Sequence, residues 1–231
     1  MNNKIRQTAL ATLLLLSIGS AQALRSPQQI DFVSNSAPLD YTNWSVTAWL
    51  PQFDSRLGTL DAVTITLANH LEGSVKAESR NLVARDVTLN LQATFKLVDA
   101  LSGATWLQKT ELVSHTFTAS AFDGLRDFAG SSGRSYLNLG AEGLSAKTYT
   151  DGTMLARFTG TGAVGTWLSA QGESGYVSSS NIATQFRTLA SGYATVSYAY
   201  HTTAVPEPGT WALLAAGLGM VLMLASRRRA D

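Results

Sequence analysis

Hydrophobic and polar residues alternate with a period of two through three long stretches of the chain. Val63, Ile65 and Leu67 alternate with Thr64, Thr66 and Ala68. Val87, Leu89, Leu91, Ala93, Phe95 and Leu97 alternate with Thr88, Asn90, Gln92, Thr94 and Lys96. Ala194, Val196, Tyr198 and Tyr200 alternate with Thr195, Ser197, Ala199 and His201. Successive side chains of a strand point to opposite faces, so this pattern predicts strands with one buried and one wet face. Shorter strands are predicted over 30–33, 44–50, 73–79, 106–118, 145–150, 154–159 and 164–170. Turn signals at 99–103, Asp123-Gly124 and Asp151-Gly152 separate several of them. No stretch between 24 and 205 carries a 3.6-residue stripe. About ten strands with short turns predict an all-β fold, a two-sheet β-sandwich or jelly roll. The longest irregular region is expected over 119–143, where Gly, Ser and Asp concentrate.

Composition agrees with this reading. Residues 24–205 contain 21 Ser and 22 Thr, about a quarter of the segment. Thr is β-branched and suits a strand's polar face, while Ser and Gly suit turns. There is no cysteine, so disulfides and thiolate chemistry are excluded and the fold must rest on its apolar core. The formal net charge of the 231 residues is +1, but the excess of basic residues lies at the two ends. Residues 24–205 hold 12 basic and 14 acidic side chains, a net charge of −2. A slightly acidic body without a basic block offers no electrostatic footprint for nucleic acid.

The ends read as addresses. Lys4 and Arg6 precede an apolar run over 9–18, and Ala21-Gln22-Ala23 supplies a small-x-small site. This is the pattern of a secretory signal peptide over 1–23, cut by signal peptidase after Ala23. At the other end, Pro206-Glu207-Pro208 forms an extended linker, because two prolines continue neither a strand nor a helix. Residues 210–225 then carry no charge, and Arg227, Arg228 and Arg229 follow. A single transmembrane helix is expected over 210–226, with Trp211 at one interface and the arginines on the cytoplasmic side. The domain between, 24–204, would then lie outside the cytoplasm.

The order Pro-Glu-Pro, apolar helix, Arg cluster resembles the PEP-CTERM sorting signal of Gram-negative bacteria. That resemblance implies recognition by exosortase, a membrane protease, with Pro206, Glu207 and Pro208 as the sorting motif and Arg227, Arg228 and Arg229 as the basic end. It implies an inner-membrane intermediate followed by delivery to the cell surface, the outer envelope or the extracellular matrix. The body also resembles the "choice-of-anchor E" domain. Its carriers are Asn43-Trp44, Leu50-Pro51-Gln52-Phe53-Asp54, Leu57-Gly58-Thr59-Leu60, Ser120-Ala121-Phe122-Asp123-Gly124, Asp127-Phe128-Ala129-Gly130 and Phe158-Thr159-Gly160-Thr161-Gly162. Such domains are extracellular and β-rich, and that resemblance implies no catalytic residue.

Catalytic patterns are weak. Gly160-Thr161-Gly162-Ala163-Val164-Gly165 matches G-x-G-x-x-G, but a dinucleotide site needs a helix after the glycines and 166–170 reads as strand. His70, His115 and His201 lack metal-ligand spacing. Gly172-Glu173-Ser174-Gly175 lacks the spacing of a nucleophile elbow. Asp123 and Asp127 read as turn residues rather than calcium ligands. Neither a metal nor another cofactor is expected. Binding has better footing: Trp44, Trp49, Trp106 and Trp167 all fall in strand-like stretches. Trp44 and Trp49 are an odd distance apart and so occupy opposite faces, which makes them candidate glycan contacts. The resulting expectation is a non-enzymatic surface or extracellular-matrix protein, structural or adhesive in biofilm exopolysaccharide. A carbohydrate-binding module for such polysaccharide is the alternative.

Overall fold

The computed structural model describes residues 27–179, 181–202 and 208–227. The body is two antiparallel sheets packed face to face. The first has the order β1 (Gln28–Val33), β10 (Ile182–His201), β4 (Thr59–Ser79) and β7 (Gly133–Tyr149), with β2 (Ala37–Tyr41) also on the β10 edge. The second has the order β3 (Trp44–Pro51), β8 (Ala163–Gly172), β5 (Arg85–Asp99) and β6 (Thr105–Ala119), with β9 (Gly175–Val177) also on β5. The spine of the first sheet is the pairing of β4 with β10, which runs from Ile182 opposite Ser79 to His201 opposite Thr59.

Alternation carries this architecture. Val63, Ile65 and Leu67 of β4, all six apolar residues predicted for β5, and Ala194, Val196 and Tyr198 of β10 are fully buried. Burying each such side chain contributes about 1.5–3 kcal/mol for the larger residues, which sets the register: a one-residue slip would turn every one of them to water.

The lateral edges of the sandwich are closed differently. β1 and β2 lie end to end along β10, and the kink between them holds Asn35. Its Nδ2 donates to the Thr47 carbonyl at 2.8 Å, and its Oδ1 accepts the Trp49 N–H at 3.1 Å. One side chain thus satisfies two backbone groups on the free edge of β3. On the opposite side, the edge strand β6 turns Lys109, the buried Glu111 and His115 inward. His115 stacks on Tyr136 of β7, with ring centroids 4.3 Å apart. Inward charges on an edge strand oppose pairing with another chain.

Several expectations are corrected. Residues 154–159 are not a strand: Gly152–Phe158 forms a short helix, α1. Asp151 caps it, its carboxylate accepting the Met154 N–H at 3.0 Å, as an N-cap does. The irregular region is shorter than 119–143, because β7 already begins at Gly133. The remaining loop is fastened by Glu78, a fully buried carboxylate that accepts the Phe128 N–H at 2.8 Å and the Ser132 hydroxyl at 2.6 Å. Strands β2 and β9 were not anticipated. The tail forms a helix, α2 (Pro208–Arg227), close to the expected 210–226. Among the described residues no helix is long and apolar enough to cross a membrane. The side chains of 213–222 in α2 are all exposed.

Candidate binding face and sorting tail

The outer face of the second sheet combines a series of polar cross-strand pairs, interrupted by the exposed Leu112 and Val177, with exposed tryptophans at one end. Thr88 and Thr116 share a hydrogen bond of 2.8 Å, Thr94 and Thr110 one of 2.9 Å, and the Ser114 hydroxyl donates to Asn90 Oδ1 at 2.8 Å. Thr118 donates to Asp86 Oδ1 at 2.6 Å, and Gln92 Nε2 donates to Glu173 Oε2 at 2.8 Å. Each directly opposed pair lies in register between β5 and β6, so its side chains share one face.

The tryptophans divide as their spacing requires. Trp44 turns inward, packs partly buried against the core, and donates its indole N–H to the Ala190 carbonyl at 3.2 Å. It is a tie between the sheets. Trp49 points outward and is 55% exposed. A methyl group on Gly165 would meet three atoms of its ring, Cζ3 at 3.0 Å, Cη2 at 3.4 Å and Cε3 at 3.6 Å. The six-membered ring therefore lies across the glycine and turns its other side to water. Trp167, on β8, is 48% exposed and was not singled out as a site from sequence. Its signal was available: it stands an even distance from Gly165 and Ser169, on the outward parity of β8. Trp106 packs on Phe158 at 5.7 Å between centroids.

Of the other candidates, Asp123 Oδ1 accepts the Leu125 N–H and Asp127 Oδ1 accepts the Ala129 N–H, both at 2.9 Å. Both therefore serve turns. Gly160 to Gly165 leads directly into β8, with no helix following. His70, His115 and His201 are placed apart: His201 Nδ1 lies 2.9 Å from Asp61, His115 stacks on Tyr136, and His70 lies 3.4 Å from Glu142 and 3.7 Å from Glu72. Among the described residues no group of three or more His, Asp or Glu is placed to hold a metal ion. His70 and Glu142 also line an open cleft of about 670 Å³ on the first sheet, with Leu39, Leu144 and Tyr193.

The predicted signal-peptidase residues Ala21 and Ala23 lie outside the described residues, as do Pro206, Glu207, Arg228 and Arg229. Pro208 and Arg227 are the first and last residues of α2. The sequence of this tail decides its kind. Residues 204–229 match the PEP-CTERM protein-sorting motif. The match supports an exosortase-sorted extracellular protein, exported through the membrane to the cell surface. No curated protein matches the chain. Among solved structures, infectious bursal virus derived T=1 particles match over 77% of this chain and 37% of theirs, at 9% identity and a TM-score of 0.20. The infectious bursal disease virus Gx strain matches over 85% and 49%, at 11% identity and a TM-score of 0.12. A third structure, the T13 particle of that virus, matches over 88% and 47%, with the same identity and score. The chain thus spans between about a third and a half of the lengths of those proteins. Scores at this level leave the fold resting on the two sheets described above.

Proposed function

We propose that the chain is an exported, non-enzymatic protein of the Gram-negative cell surface or extracellular matrix. Signal peptidase removes 1–23, exosortase acts at the Pro206-Glu207-Pro208 region, and the β-sandwich of 24–204 is the working part. The observation that carries this reading is a PEP-CTERM motif over 204–229 appended to an all-β body. α2 holds the precursor in the inner membrane until the tail is processed. The resemblance of the body to choice-of-anchor E domains fits an extracellular role, and the paired end signals around a Ser/Thr-rich β body favour a structural or adhesive contribution to a biofilm. The test is replacement of Pro206-Glu207-Pro208 by three alanines. Full-length protein then accumulates in the inner membrane fraction; release at the unaltered level overturns the exosortase assignment.

A second reading is favoured by a specific observation, the exposed Trp49 and Trp167 at one end of a largely polar sheet face. Sugar rings present C–H groups of partial positive character, which suit the negative π face of an indole. Hydroxyl and amide side chains beside them match sugar hydroxyls. On this reading the sandwich binds extracellular polysaccharide through the outer face of its second sheet.

A further inference from the structure

Register across the second sheet places three outward side chains on one diagonal. Trp49 on β3 stands opposite Gly165 of β8, and Trp167 is two residues along from that glycine, opposite Thr47. Trp167 in turn stands opposite Val98 of β5, and Lys96 is two residues further in the same direction, opposite Ser169. Each step therefore moves one strand across and two residues along. Diagonal neighbours of this kind are about 7–8 Å apart, so the line from Trp49 through Trp167 to Lys96 runs for about 15 Å. Thr110 of β6 continues the same diagonal, because it stands opposite Thr94.

The charge on this line is unbalanced. Lys96 makes no ion pair with any described residue, whereas Lys109 and Arg157 each have a carboxylate partner. Lys96 is half-buried as a residue, in keeping with a lysine whose apolar stem lies along the surface while its ammonium meets water. Glu173, an acid on this face, is already engaged by Gln92 Nε2 at 2.8 Å and by the Thr94 hydroxyl at 3.3 Å. Two stacking rings followed by an uncommitted cation form a track for a polymer that alternates flat apolar ring faces with negative charge.

We propose that the Trp49–Trp167–Lys96 diagonal binds a polysaccharide containing uronic acids, with the indoles stacked on sugar rings and the Lys96 ammonium on a sugar carboxylate. The proposal rests on the glycan-binding reading above and names its substrate class. Rigid indoles lose little conformational freedom on binding, so they supply affinity, while the charge supplies selection among polymers.

The experiment is affinity electrophoresis of the full-length protein, solubilised in detergent, through gels containing polygalacturonate or the neutral polymer dextran. The wild type is expected to bind polygalacturonate at least tenfold more tightly than dextran, with affinity falling as salt rises. W49A and W167A each weaken binding tenfold or more. K96M, which keeps the apolar stem, weakens polygalacturonate binding at least fivefold and leaves dextran binding unchanged. Equal retention by the two polymers, insensitive to K96M, overturns the anionic assignment while leaving glycan binding intact. Retention unaffected by both tryptophan substitutions overturns the diagonal as the site. Absence of retention by either polymer overturns the glycan reading and this inference together.

Discussion

The hydroxyl of Tyr198, near the end of β10 in the first sheet, donates across the core to the carbonyl of Pro51, at the end of β3 in the second, at 2.5 Å. Phe32, Phe53 and Phe158 surround the Tyr198 ring at centroid distances of 6.0, 5.7 and 6.2 Å. Burial pushes the hydroxyl's pKa above the ordinary tyrosine range, which favours the protonated, donating form. Tyr198→Phe keeps the ring packing and leaves the Pro51 carbonyl without its donor. The expected loss is about 1–3 kcal/mol. Urea unfolding followed by tryptophan fluorescence reads it, and an unchanged midpoint would remove this bond as a tie between the sheets.

Asp99 gives the fold an acid limit. Its carboxylate, at the β5–β6 turn, accepts the Ser102 hydroxyl at 2.7 Å, the Leu101 N–H at 3.2 Å and Arg157 of α1 at 3.0 Å. Burial pushes its pKa up, but the hydrogen bonds from Ser102, Leu101 and Arg157 and the Arg157 charge outweigh that and hold it below 3.8. A carboxyl with a depressed folded pKa stabilises the protein above its unfolded pKa and stops doing so as pH falls through the folded value. The contribution is therefore complete above about pH 5 and is withdrawn below about pH 4. Asp99→Asn should flatten that part of the stability profile, measured as melting temperature from pH 6 to pH 2.5. A profile as steep as the wild type's would assign the acid sensitivity to other carboxylates.

One buried group fastens the middle of the β6–β7 loop, beside the backbone bonds from Ser79 to Ser132 and from Ser120 to Ser131. Glu78 receives Phe128 N–H and Ser132 Oγ–H, and a Cβ on Gly133 would collide with its carboxylate. Glu78→Ala strands two donors in a dry site, at about 1–3 kcal/mol for each group left unpaired. Cleavage within 120–132 under limited proteolysis should appear or accelerate before the sheets unfold. Simultaneous loss of the loop and the body would instead place the loop inside the cooperative core.

How far the fold was legible in the sequence follows from which faces are simple. β5 is buried at every odd position from Val87 to Leu97, so alternation alone locates it. β4 reads as two pieces, 63–68 and 73–79, although it is one strand of 21 residues. The break comes at Asn69, a polar residue on the inward parity, 6% exposed and set opposite Gly143 and Gly192. β7 is legible only at its C-terminal end, through the strand predicted over 145–150: it is an edge strand, and nearly all of its residues on both faces are exposed or half-exposed. α1 is seven residues with one buried side chain, Phe158, too short for a helical stripe. At the candidate face, parity separated Trp44 from Trp49, but only strand order, with β8 beside β3, could bring Trp167 into line.

Gly73 is where that long strand tolerates nothing larger. It lies beside the register shift between β4 and β7 and opposite Thr188 of β10. A Cβ there would fall on the backbone carbonyl of Arg187 and stand 2.9 Å from Leu91 Cδ1 in the facing sheet. The leucine end can rotate away; the carbonyl belongs to the ladder and cannot move without parting β4 from β10. Overpacking of this kind costs about 1–3 kcal/mol when side chains absorb it, and a backbone clash sits at or above the upper end. Gly73→Ala should therefore destabilise the protein by about 3 kcal/mol, whereas Gly103→Ala meets no atom within 4 Å and costs only the strain of its left-handed turn. Thermal unfolding of the pair separates the two effects. A smaller loss at Gly73 than at Gly103 would mean that β4 and β10 separate readily, contrary to a core built on their pairing.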